Sequence, residues 1–117
     1  MIKPMVGLGT VVRDRYGHSG IVCTREPAPD EDWIAKQLNS DEIRSLGQTD
    51  WWGVLVFGGG YLLGAGPLLT PMRGATYDDF LNAADSAKVA GRERLARIFP
   101  DYLNRLLAER FAEAGEQ

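Results

Sequence analysis

The chain has 117 residues, 44% of them hydrophobic and 25% charged, and a net charge of −3. That is enough for one ordinary domain with one core, and too apolar for a disordered tail. It also argues against a protein that works through a broadly basic face. Residues 1–26 carry a net +2 and residues 27–50 a net −4, and the local basic excess is confined to Lys3, Arg13, Arg15 and Arg25.

Near the start, the run from Met5 to Val12 is broken by Gly7 and Gly9 and lacks a small-x-small cleavage site, so no signal peptide is expected. "GTVVRDR" (9–15) and "GIVCTRE" (20–26) are strand-like, and "YGHSG" between them has the composition of a tight connection. Cys23, the single cysteine, cannot form an internal disulfide; it reads as a small buried strand residue in a reducing, cytoplasmic setting.

An acidic insertion follows. "PAPDEDWIAKQL" favours a short helix starting near Asp30, and "SDEIRSLG" a second one with Ser40 as N-cap and Gly47 as its stop. The insertion is placed at 28–47.

Residues 51–72 hold no charge and are long enough to cross a membrane, but six are Gly and two are Pro. At about 1 kcal/mol per Gly and about 3 per Pro relative to Ala, a spanning helix loses. The stretch is read as strand, turn, strand: "WGVLVF", a "GGG" turn that supplies positive φ, then "YLLGAG" with bends at Gly64 and Gly66. A fifth strand, "LLTPM" (68–72), completes a set large enough to close a small barrel.

Beyond Arg73 the pattern turns helical. Thr76 and Asp79 sit at capping-box spacing, with carboxylates at 78 and 79 favouring the helix dipole. Leu95, Ile98, Phe99, Tyr102, Leu103, Leu106 and Phe111 then form an apolar stripe across 92–113 that is expected to be buried, with a break at Pro100. The expected fold is therefore α+β: a barrel over 1–73 with its helical insertion, and two to three helices over 74–117 packed on it as one compact domain.

Taken in order, "VGLGTVVRDRYGHSGIV", "DEDWI", "WWGVLVF" and the later "Y" and "LL" resemble the YccV-like domain of hemimethylated-DNA-binding proteins, also described as heat-shock protein Q. The matched positions run from Val11, Val12, Arg13, Arg15, Gly17, Gly20, Val22 and Pro27 through Trp33, Gln48 and Trp51 to Val54, Leu55, Val56, Tyr61 and Leu68, within residues 6–69. The resemblance implies an SH3-like barrel and DNA binding with Arg13 and Arg15 on phosphates. The chain departs from the family pattern at Asp14, where the family has His, at Trp52, where it has Tyr, and at Gly64, Ala65 and Pro67, where acidic and Asn residues are expected.

Catalytic patterns are poor. His18 is the sole histidine, "GGG" lacks the ending of a phosphate loop, and "DED" at 30–32 lacks the glycine of a calcium loop, so no enzyme, metal or cofactor is expected. Binding features are better. Arg13, Arg15, Tyr16, His18, Trp33 and Trp52 are the candidate partner-binding residues, and Asp30, Glu31, Asp32, Asp41 and Glu42 form an acidic patch able to steer a cationic target. Trp51 and Trp52 must point to opposite faces, one to the core and the other outward or under the C-terminal helices. The expected function is a non-enzymatic module binding another protein, an adaptor or a neutralising, immunity-type partner. The alternative is a DNA-binding barrel.

Overall fold

The computed structural model describes residues 5–46 and 49–115. The expectations placed on Lys3, Gly47 and Gln48 lie outside them. Five strands form one antiparallel sheet: β1 (Thr10–Arg13), β2 (Ser19–Glu26), β3 (Trp51–Val56), β4 (Tyr61–Ala65) and β5 (Thr70–Gly74), in the order β4-β3-β2-β1-β5. Between β2 and β3 lie α1 (Glu31–Gln37) and α2 (Ser40–Leu46), and α3 (Tyr77–Ser86), α4 (Val89–Ile98) and α5 (Pro100–Gly115) follow the sheet. The fold is α+β, as the alternation of strand and helix patterns implies. Among the described residues no helix is long and apolar enough to cross a membrane.

The uncharged stretch folds as its glycines require. Gly58, Gly59 and Gly60 have φ of 89°, 114° and 105°, and Val56 donates its N–H to the Gly60 carbonyl at 3.1 Å to close the β3–β4 turn. Gly64 is not a bend. It pairs regularly with Trp52, and it is small because Leu69 crosses it: a Cβ there would lie 2.9 Å from Leu69 Cδ2. The chain bends instead at a 3₁₀ turn, Gly66–Leu68, whose Pro67 needs no N–H partner.

The barrel closure expected of five short strands is absent: β4 and β5 are the two edges of the sheet. The 3₁₀ turn carries the chain away from β4 toward β1, and Pro71 removes one donor from β5. One face nevertheless buries itself. Val12, Val22, Val54 and Leu69 cluster there with Val6, Trp52 and Leu62, and among the described residues no helix contributes, so the sheet curls over this face. The register slip between Val22 and Thr24 supplies a local kink.

Helices cover the other face in two places. Val11, Ile21, Cys23 and Leu55 pack with Phe80 and Ala83 of α3 and Leu95 of α4. At the far end of β3, Trp51 and Ala65 pack with Leu46 of α2 and with Trp33, Ile34 and Leu38 of the α1 segment. The apolar stripe of the last third is buried at Leu95 and half-buried from Ile98 to Leu106, whereas Phe111 is 73% exposed. The reason is length: 16 helical residues span about 24 Å, and α5 runs past the surface its first turns pack on.

Caps fix the helix starts. Asp30 Oδ1 accepts the Trp33 N–H at 2.7 Å, as expected. The cap of α2 is Asn39, not Ser40: Asn39 Oδ1 accepts the Glu42 N–H and Glu42 Oε1 accepts the Asn39 N–H, both at 2.9 Å. Ser40, one residue later, is already helical.

Thr76 and Asp79 form the expected capping box, and Asp79, buried, also takes two guanidinium N–H groups from Arg73. The Arg73 guanidinium, outweighing burial, and the Thr76 hydrogen bonds hold this carboxyl far below the usual carboxylate range. Asp79→Ala is expected to cost about 2–3 kcal/mol at pH 7, since it removes a cap and strands its donors. A depressed folded pKa means the stabilisation is full above the unfolded carboxylate value, about 3.9, and is lost as pH falls through the folded value. Urea unfolding of wild type and variant should thus converge as the pH is lowered below about 4; a gap that is constant with pH would refute this role.

Candidate functional site

A concave feature lies where the β1–β2 loop, α1 and the edge strand β4 meet. It is a groove of about 290 Å³, lined by Asp14, Arg15 and Tyr16 from the loop, Trp33, Gln37 and Leu38 from the α1 segment, Leu62 to Ala65 from β4, and Leu68 from the 3₁₀ turn. That volume suits one or two side chains better than a drug-sized molecule, whose pockets run from about 300 to 1,000 Å³.

Each wall is held by local chemistry. In the loop, Asp14 Oδ1 accepts the N–H of Tyr16 at 2.9 Å and of His18 at 2.8 Å, and Oδ2 lies 3.1 Å from His18 Nδ1. Burial alone would raise the Asp14 carboxyl, but the bonds from His18 and Tyr16 hold it below its ordinary value. Asp14 is thus the residue that shapes this turn.

Arg15 spans the groove. It pairs with Glu42 of α2, donates to the Gln37 carbonyl at 2.9 Å, and lies over the Tyr16 ring at 4.8 Å from its centroid. The loop is thereby tied to the acidic insertion. At the base, Trp33 meets the buried Trp51 edge to face, centroids 6.0 Å apart.

The fourth wall is an unpaired strand. Gly66 N–H bonds the Asp50 carbonyl and Val56 N–H bonds the Gly60 carbonyl, so by antiparallel alternation the N–H and C=O of Tyr61 and Leu63 point away from β3. Among the described residues no strand pairs with β4 on that side.

Of the six residues expected to bind a partner, the fold gathers Arg15, Tyr16 and Trp33 at this groove. Arg13 is exposed on β1, paired with Ser19 and Thr70 in the ladder, and His18 is an exposed loop residue held by Asp14. Trp52 lies elsewhere. It is half-buried against the self-covered face, so neither alternative for the second tryptophan holds: it is neither turned outward nor placed under the C-terminal helices. The curl of the sheet, which no local pattern encodes, covers it.

The acidic residues divide by task. Asp30 caps α1 and Glu42 holds Arg15, whereas Glu31 and Asp32 are exposed and make no ion pair among the described residues. Asp41 is exposed with Arg44 at 3.5 Å. Sequence reasoning did not mark Leu63, Leu68 or Gln37 as site residues. Leu63 carries no mark beyond apolarity, Leu68 stood out only as a position of resemblance, and Gln37 contributes through its backbone carbonyl, which any residue would supply.

A second polar cluster borders β4. Tyr61 donates to Glu26 across β3, passing so close over Gly53 that a Cβ there would lie 1.7 Å from the phenol oxygen, and Arg94 of α4 stacks on its ring at 4.8 Å. Burial and the bond to Glu26 push the phenol well above its usual value, so it stays protonated.

No family model, no curated protein and no solved structure matches the chain.

Proposed function

We propose that this chain is a non-enzymatic protein-binding module whose groove takes an extended, cationic segment of a partner protein. The observation that carries the reading is the free edge of β4 lying alongside an aromatic-lined groove. An added strand would draw its main-chain hydrogen bonds from Tyr61 and Leu63 and place an alternate side chain against Trp33 and Leu68. Glu31, Asp32 and Asp41, exposed on the neighbouring helices, favour a positively charged target and would speed its encounter. An adaptor and a neutralising partner of a basic protein both fit this chemistry.

The DNA-binding reading draws on Arg13 and Arg15. Arg15 is engaged by Glu42 and the Gln37 carbonyl, which leaves Arg13 as the one of that pair with no ion pair among the described residues. DNA is therefore the second reading.

Fluorescence titration with a blocked eight-residue peptide of alternating Leu and Lys tests the proposal, because Trp33 and Trp51 report from the groove. Saturable binding is expected, at least tenfold weaker for Trp33→Ala, for a peptide with Glu in place of Lys, and for one N-methylated on its strand-pairing edge. Absence of saturable binding would overturn the reading. So would duplex DNA that binds more tightly than the peptide, weakens steeply with salt and is lost in Arg13→Ala.

A further inference from the structure

The groove is bridged by a contact of its own chain. Both faces of β4 line it, Leu62 and Gly64 from the self-covered side and Leu63 and Ala65 from the helix-covered side, so it runs along the free edge of the strand itself. Across that space the Arg15 guanidinium reaches from the β1–β2 loop to the Gln37 carbonyl and the Glu42 carboxylate. A second open cavity, of about 500 Å³, adjoins the crossing. Arg15, Tyr16, Gln37 and Leu38 line both spaces, and Lys36 and Glu42 line only the second. The arginine is the partition between them.

Its seat is built for one cation. Glu42 Oε1 is fixed by the Asn39 N–H in the capping box of α2, and Oε2 takes the guanidinium. The Gln37 carbonyl, in the last turn of α1, is one of those that a helix end leaves without an internal partner. The Arg15 and Glu42 side chains are only 29% and 17% exposed, so this contact is less solvated than an ordinary surface ion pair.

We propose, on the reading that the groove docks a strand, that Arg15 is an internal stand-in for the partner's cation: a Lys or Arg of the incoming strand takes its place on Glu42 and the Gln37 carbonyl, and the groove and the second cavity join into one longer channel. Exchanging one cation for another leaves Glu42 answered. A strand with an apolar or acidic residue at that place opens the bridge only by stranding a partly buried carboxylate, so the same contact gates entry and selects a basic partner. Lys36, lining the second cavity, repels a further cation there, so one basic residue decides. The released guanidinium keeps the Tyr16 ring, whose centroid is 4.8 Å from it in the bridged form.

The test compares wild type, Arg15→Gln and Glu42→Gln, each checked for folding by thermal melt; Gln at position 42 keeps the capping box and removes the charge. The probes are blocked eight-residue peptides of alternating Leu and Ser, with no lysine or with one Lys replacing each Ser in turn, followed by tryptophan fluorescence and by the NMR signals of the Arg15 guanidinium. With lysine at one position, wild type should bind roughly fivefold or more tightly than it binds the lysine-free peptide, and the Arg15 signals should shift as the bridge opens. Arg15→Gln should bind that peptide roughly fivefold more tightly again, the opposite of what a wall residue would do. Glu42→Gln should bind the peptides with and without lysine alike. If no peptide binds wild type or Arg15→Gln, the reading of the groove falls and this inference with it. If peptides bind wild type but Arg15→Gln binds no more tightly, if lysine helps equally at every position, or if the Arg15 signals are unmoved at saturation, the groove still docks a strand and this inference alone is overturned.

Discussion

Gly20→Ala is expected to destabilise the protein by more than about 3 kcal/mol, a large share of the 5–15 kcal/mol typical of a domain. Gly20 pairs with Val12 on one side and Val56 on the other, in the middle of the sheet. A Cβ there would lie 2.2 Å from the Leu55 carbonyl oxygen and 2.8 Å from its carbon. Those are backbone atoms of β3, so relief requires moving a strand rather than rotating a side chain. Urea unfolding with an unchanged m-value would measure the loss. A loss below about 1 kcal/mol would mean that β3 can shift freely, against the close pairing described here.

Leu95→Ala is expected to cost about 3–4 kcal/mol and to lower Tm by more than about 10 °C. Leu95 is 0% exposed and sits on α4 between Ile21, Cys23 and Leu55 of the sheet and Phe80 of α3. Removing it opens a cavity where sheet and helices meet, at a place where neither side can close in without leaving its other contacts. The measurement also tests cooperativity. If the strand signal and the helix signal lose stability together by circular dichroism and tryptophan fluorescence, residues 74–117 belong to the same folding unit as the sheet. If the helical signal alone falls, the two parts unfold separately.

Much of this fold was legible in local chemistry. Thr76 and Asp79 announced α3 because a capping box acts across three residues, and Gly58 to Gly60 announced the β3–β4 turn because only glycine tolerates three successive positive φ values. Gly20 was read both as the start of a strand, which it is, and as the end of a tight connection; its φ is not positive, and it is small because β3 passes against it.

The candidate site was legible in part. Tyr16 and Trp33 stand out as aromatics beside loops, and the groove uses both. Arg15 stood out as a partner-binding cation and is also an internal tie, because Glu42 on a helix far along the chain pairs with it.

By itself, then, the sequence determined what the backbone can do locally: where helices start, where three glycines forbid a membrane-spanning helix, and which stretches alternate as strands. The tertiary structure decided which edge of the sheet stays unpaired, that Trp51 and Trp52 are both covered on opposite faces, and which charges meet. The division has a physical cause. Caps, turns and φ preferences act between residues a few positions apart, whereas sheet edges, close backbone approaches and ion pairs between elements depend on contacts whose spacing along the chain carries no periodic trace.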